Sequence, residues 1–121
     1  MRIIFDLMGT VLGALDHSPR PGIRETITAL RDGGNRVCFW TSGNVENYRA
    51  FLRVAGIEGD VYSKAEPLPF KPDVCVDDEP QPWMPGNAYK VGPHISEELP
   101  GEHILVAELM CSADCETFFW D

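Results

Sequence analysis

Short apolar runs, separated by glycine, proline and polar turns, set the rhythm of this chain. Arg2-Ile3-Ile4-Phe5 is β-branched and aromatic, ends at Asp6, and reads as a buried strand. Gly9 and Gly13 then punctuate a loop that continues through Asp16, His17, Ser18 and Pro19. Pro21 stands where a helix would begin, Ile23, Ile27 and Leu30 recur on one helical face, and Gly33-Gly34 stops the pattern, which predicts a helix over about 21–32. Arg36-Val37-Cys38-Phe39-Trp40 is a second buried strand, closed by Thr41-Ser42-Gly43-Asn44. A second helix follows from about Val45 to Val54, with Tyr48, Leu52 and Ala55 on one face and Gly56 after it. Val61-Tyr62-Ser63 reads as a brief third strand. Glu66 to Pro72 holds three prolines in seven residues and must be extended loop. Val74-Cys75-Val76 is a fourth strand ending at Asp77-Asp78. Pro80, Pro82 and Pro85 enforce another irregular stretch before a fifth strand over Ala88 to Val91. Residues from about 101 to 111 read as an amphipathic helix, although Ile104-Leu105-Val106 suits a strand equally. No internal repeat is present.

Strands alternating with helices at this spacing imply parallel βαβ units, hence an α/β fold: a three-layer sandwich around a mostly parallel, Rossmann-like sheet. Continuous apolar runs, rather than alternating ones, are what strands buried on both faces require. The chain's 121 residues suit a single domain over 1–121. With 44% apolar and 24% charged residues the composition is globular. A net charge of −9 argues against a nucleic-acid backbone or an anionic membrane as the main partner. The N-terminal MRIIFDLMG lacks the long apolar core of a signal peptide, and no stretch approaches the ~18 apolar residues of a membrane span. A soluble, cytoplasmic protein is the expectation. Four cysteines make no disulfide framework: Cys38 and Cys75 sit in strand-like runs as small hydrophobes, and Cys111 and Cys115 lack the companions of a metal site.

In a parallel sheet the ligand site lies at the carboxyl ends of the strands. Here strand one ends in Asp6, strand two in Thr41 and Ser42, strand three in Ser63 and Lys64, and strand four in Asp77 and Asp78. Three carboxylates, hydroxyls and an ammonium therefore converge on one edge. Carboxylates held this close repel one another unless a hard cation neutralises them, and all-oxygen ligation suits Mg2+. The hydroxyls and Lys64 would then hold phosphate oxygens, leaving one carboxylate to attack phosphorus. The plain alternative is that polar residues follow any buried strand into solvent. Four successive strand ends of these types make that alternative the weaker one.

Phe5-Asp6-Leu7-Met8-Gly9-Thr10 resembles the first motif of the haloacid dehalogenase (HAD) superfamily, DxDGT after an apolar strand. Trp40-Thr41-Ser42-Gly43 resembles the second motif, Lys64 fits the third, and Val74-Cys75-Val76-Asp77-Asp78 fits the fourth. The motifs stand in family order over residues 1 to 78. Arg20-Pro21-Gly22, with Trp40-Thr41-Ser42, is similar to the small capless branch that includes carboxy-terminal-domain phosphatases. The resemblance implies a capless HAD-like hydrolase in which Asp6 is the nucleophile and forms an aspartyl-phosphate. It implies that Thr41 binds the phosphoryl group with help from Ser42 and Lys64. It also implies that Asp6, Asp77, Asp78 and the main-chain carbonyl of Met8 hold Mg2+. Lys71, in a Lys-Pro-Asp context, competes with Lys64 for the third motif. It precedes strand four, however, and a rise of ~3.3 Å per residue leaves it more than ~10 Å from Asp77.

Met8 departs from the pattern. Phosphatases of the superfamily carry a second Asp there, which protonates the leaving alkoxide and later activates water, a contribution of ~10²–10⁴-fold. Asp16 or His17, in the following loop, would be the nearby substitutes; the plain reading of both is a solvated turn. His94 and His103 read as surface or packing residues. Dehalogenase and phosphonate-cleaving members also lack that Asp, but normally carry a cap. A catalytically lapsed metal- and phosphate-binding module is the rival from outside enzymes. The interval from Thr10 to strand two leaves no room for a cap, and in this superfamily a missing cap goes with a macromolecular substrate or with oligomerisation, such as a homodimer. Trp83, Met84 and Phe118-Phe119-Trp120 supply apolar surface for such a role, or for a tail folded on its own sheet. A phospho-receiver domain is rejected on order, because it places paired acids on its first strand.

Overall fold

The computed structural model describes residues 1–95. The helix predicted over about 101–111, His103, Cys111, Cys115 and the aromatic tail lie outside the described residues. The elements are β1 (Arg2–Asp6), α1 (Ile23–Asp32), β2 (Arg36–Thr41), α2 (Val45–Val54), β3 (Val61–Ser63), β4 (Val74–Asp77) and β5 (Asn87–Lys90). The strands form one five-stranded sheet in the order β3-β2-β1-β4-β5, and every pairing is parallel.

Alternate strand residues divide between two unlike layers. Ile3, Phe5, Val37, Phe39, Val61, Val74 and Val76 face Ile23, Ile27 and Leu30 of α1 and Tyr48 and Leu52 of α2 in the main core. Ile4, Trp40 and Cys75 face the other way, where Met84, Leu68 and Phe70 pack on them. Among the described residues both helices therefore lie on one face, and extended chain rather than a helical layer covers the other. The right-handed rule for parallel crossovers accounts for this. From β1 through β3 the chain steps outward in one direction, so both helices fall on the same side. The jump from β3 across β1 to β4 reverses that direction and sends its connection over the opposite face. The prolines of Glu66 to Pro72 keep that connection extended.

Local chemistry sets the helix limits. Gly22 adopts φ 81°, a left-handed turn that delays α1 to Ile23, two residues beyond Pro21. The Asn44 side chain caps α2 by accepting the Asn47 N–H at 2.9 Å. Burial pushes the thiols of Cys38 and Cys75 up to about 12, so both behave as inert hydrophobes. Among the described residues no helix is long and apolar enough to cross a membrane.

The order places a topological switch between β1 and β4, where connections leave on opposite sides and the carboxyl ends open a crevice. Those two strands end in Asp6 and Asp77.

Phe39 is fully buried at the centre of the helical face, with its ring 6.3 Å from that of Phe5. Phe39→Ala should cost about 3–5 kcal/mol. Val54→Ala, at a residue 90% exposed, should stay within ~0.5 kcal/mol. Urea unfolding of the two variants checks the assignment of this face as core.

Candidate active site

Asp6 is the last residue of β1 and keeps only 6% of its surface exposed. Its neighbour across the switch, Asp77, closes β4 at 2% exposure. The register Phe5↔Val76 brings the two ends level. Lys64 leaves β3 with its backbone N–H bonded to the Thr41 carbonyl, and reaches back across β2. Its Nζ donates to Asp6 Oδ1 at 2.8 Å and to Asp77 Oδ2 at 3.1 Å. Lys71 is exposed, precedes β4 and takes no part in lining the cleft around Asp6. The structure thus brings Lys64, and not Lys71, to Asp6.

Thr10 ties the third carboxylate in. Its Oγ1 lies 3.2 Å from Asp6 Oδ2 and 3.1 Å from Asp78 Oδ1, and it accepts the Asp78 N–H at 3.0 Å. A single hydroxyl proton serves one of those carboxylates at a time. The Glu79 N–H donates to Asp77 Oδ1 at 2.8 Å, fixing the remaining oxygen of that side chain.

The loop carrying Met8 and Thr10 is rigidly held. The Leu7 carbonyl accepts from Thr10, Val11 and Leu12, whose apolar members are fully buried. Arg20, 2% exposed, donates Nε–H to the Thr10 carbonyl at 2.7 Å and its Nη2 to the Gly9 and Gly92 carbonyls. Gly9 is required twice over. Its φ of +86° disfavours any side chain, and a Cβ there would stand 2.8 Å from Asp78 Oδ2. Met8 lines the mouth of the site with its side chain 52% exposed, and among the described residues no donor reaches its carbonyl.

Thr41 closes β2 at 3% exposure. Its Oγ1 accepts the Gly43 N–H at 3.0 Å, which leaves the hydroxyl proton to be donated into the cleft. Ser42, Tyr48, Gln81 and Trp83 complete a cleft of about 660 Å3 that is lined also by Asp6, Met8, Thr41, Lys64, Asp77 and Asp78.

The electrostatics follow from this crowding. Burial pushes the Asp6 carboxyl up from its ordinary 3.8 to about 7; Lys64 opposes the shift, and Asp77 and Asp78 reinforce it. Burial alone would lower Lys64, but the charges and hydrogen bonds of Asp6 and Asp77 outweigh it and hold the ammonium above its ordinary range. Burial, then the charge of Asp6, raises the Tyr48 phenol. One oxygen each from Asp6, Asp77 and Asp78 lie within 4.8 Å of one another. These three carboxylates, two of them on buried residues, could hold a metal ion.

The residues considered as substitutes for an acid at position 8 lie elsewhere. Asp16 turns into its own loop, where it accepts from the Ser18 N–H at 3.0 Å and the Ser18 hydroxyl at 2.7 Å. The His17 ring stacks on Phe51 at 3.9 Å, over α2. His94 is a buried packing residue, its backbone N–H bonded to the Gly9 carbonyl at 2.7 Å. Thr10, Arg20 and Tyr48 carry more of the site than their sequence context announces. Only Thr10, four residues after Asp6, has a local signal.

In metal-free solution the folded chain holds a proton on Asp6 that the unfolded chain has lost between about pH 4 and 7, so stability falls as pH rises through that window. Relative to Asp6→Asn, which lacks the group, the wild type should lose a few kcal/mol from pH 4 to 7 in chelator. Lys64 contributes no slope there, since its stabilisation is lost only at alkaline pH. Urea unfolding of both proteins across that range measures the difference; a flat difference would contradict the burial of an ionisable Asp6.

No family model matches the chain, and neither a curated protein nor a solved structure matches it.

Proposed function

We propose that this chain is a Mg2+-dependent phosphohydrolase of HAD-like type, with a capless Rossmann-like core and Asp6 as nucleophile. The observation that carries the reading is the bridge of Lys64 between Asp6 and Asp77, at 2.8 and 3.1 Å, at the topological switch of the sheet. The strand order 3-2-1-4-5, with the nucleophile's strand central, supports the Rossmann-like assignment.

Asp6, Asp77, Asp78 and the Met8 carbonyl would hold the cation. When bound, it would neutralise the carboxylates and polarise phosphoryl oxygens. An Asp6 carboxylate oxygen forms a bond to phosphorus while the bond from phosphorus to the leaving oxygen breaks, its electron pair departing with that oxygen. Lys64 and the Thr41 hydroxyl donate to the equatorial oxygens, with Ser42 beside them. Water then attacks the phosphorus of the aspartyl-phosphate, releasing inorganic phosphate and restoring Asp6. Met8 offers no proton to the leaving oxygen, so the reaction selects substrates whose leaving group is stable as an anion.

Met8 also favours a second reading, in which the same groups bind metal and phosphate without turnover. One assay separates the two. Hydrolysis of 4-nitrophenyl phosphate should require Mg2+ and fall to background in Asp6→Asn. Met8→Asp should raise the hydrolysis of alkyl phosphates by about 10²-fold or more. Wild type silent on every ester, with Met8→Asp active, would establish the lapsed module; silence of both would sink the site.

A further inference from the structure

We infer that the leaving-group side of this site is built for an aromatic ring, so that the substrate is an aryl phosphate monoester. The inference rests on the phosphohydrolase reading and extends it to a substrate class.

A second cleft, of about 530 Å3, adjoins the first and shares two residues with it, Lys64 and Trp83. Its walls are aromatic and aliphatic: Trp40, Leu68, Phe70 and Trp83, with Pro67 and Pro85. The charged residues of its lining are Lys64, Glu66 and Lys71. Lys64 joins the two spaces. Its Nζ is 2.8 Å from the nucleophilic carboxylate and 5.7 Å from the centre of the Trp40 ring. The Trp40 indole therefore flanks the ammonium that would hold a phosphoryl group.

Trp83 is the unusual residue. Its indole is 55% exposed, while its ring centre lies 5.6 Å from that of buried Trp40 at an angle of 59°. The turn that presents it is fixed beneath. Met84, next in sequence, is buried and pinned by its N–H to the Gln81 carbonyl at 3.1 Å, with its sulfur 3.5 Å from the Gln81 nitrogen. A large ring held half out of the surface, tilted against another and shared by two clefts, is ready to cover one face of a bound ring.

The chemistry of position 8 points independently to the same class. Without a proton donor the leaving oxygen departs as an anion. A phenolate, whose conjugate acid has a pKa of about 10, departs unaided far more readily than an alkoxide, for which water at about 15.7 is the guide. The Asp6–phosphorus bond forms, the phosphorus–phenolate bond breaks, the phenolate takes its proton from solvent, and water returns Asp6 and releases phosphate.

Calorimetry with phenylphosphonate and methylphosphonate, neither of which can be hydrolysed, tests the ring subsite in the Mg2+-loaded protein. The phenyl compound should bind on the order of tenfold tighter. Trp83→Ala should remove several-fold of that preference and Trp83→Phe should retain most of it; exposure of this side chain leaves both variants folded. Equal binding of the two phosphonates, or a preference that Trp83→Ala leaves untouched, would overturn the inference. Acetyl phosphate, which has a good leaving group and no ring, separates the two levels. Its turnover together with equal phosphonate binding sinks the ring subsite alone. No turnover and no binding of either phosphonate sinks the phosphohydrolase reading and the subsite with it. A phosphotyrosyl peptide run beside phenyl phosphate distinguishes a protein source of the ring from a small-molecule one, and preference for either over alkyl phosphates supports the inference.

Discussion

Two carboxylates buried at the ends of neighbouring strands repel each other and lose hydration, and the ammonium of Lys64 between them makes the arrangement tolerable. Removing one partner from such a group leaves a buried charge uncompensated, at a cost of about 3–5 kcal/mol. The surrounding structure serves to hold that balance. Thr10 links Asp6 to Asp78 through one hydroxyl, Arg20 grips the carbonyls of the loop that carries Thr10, and Gly9 admits the Asp78 carboxylate where any side chain would collide with it. Burial still wins over Lys64 at Asp6, whose carboxyl is pushed up to about 7. The ammonium alone therefore does not offset the burial of Asp6.

The topology explains why these residues meet. Reversal of chain direction between β3 and β4 opens the crevice beside Asp6 and Asp77, and the same reversal throws the proline-rich connection onto the face opposite the helices. That connection brings Leu68 and Phe70 against Trp40 and Tyr62. One topological event thus produces both the acidic floor and the aromatic cleft beside it. The helical face does different work: it supplies the packed core that keeps the strand ends in register.

Much of this is legible in the chain, for reasons that differ by element. β1, β2 and β4 announce themselves because burial on both faces demands unbroken apolar runs, and α2 because Asn44 caps it and Gly56 follows it. Asp6, Thr41, Lys64, Asp77 and Asp78 are readable as strand ends, and the strand rise alone separates Lys64 from Lys71. Gly22 is less legible: a glycine after proline suits a helix start, and only the backbone shows a left-handed turn. The division of layers is not legible either, since a helical period does not say which face of a sheet it will cover. Arg20 reads locally as a charged residue before a helix. Its burial depends on carbonyls from residues 9, 10 and 92, brought together only by folding. Trp83 is likewise indistinguishable in sequence from a residue folded inward.

Met8 is where pattern and chemistry part company: under the proposed function, its side chain would leave the leaving group responsible for its own departure. Under the proposed function, Asp6 itself carries the phosphoryl group between the two halves of the reaction. Trapping tests this most directly. The protein is incubated with Mg2+ and 4-nitrophenyl phosphate and reduced with borohydride, which converts an aspartyl-phosphate to homoserine, and the peptides are sequenced by mass. Conversion at residue 6, dependent on both Mg2+ and substrate, is the predicted result. Turnover with Asp6 unmodified, or conversion at Asp77 or Asp78 instead, would contradict the account.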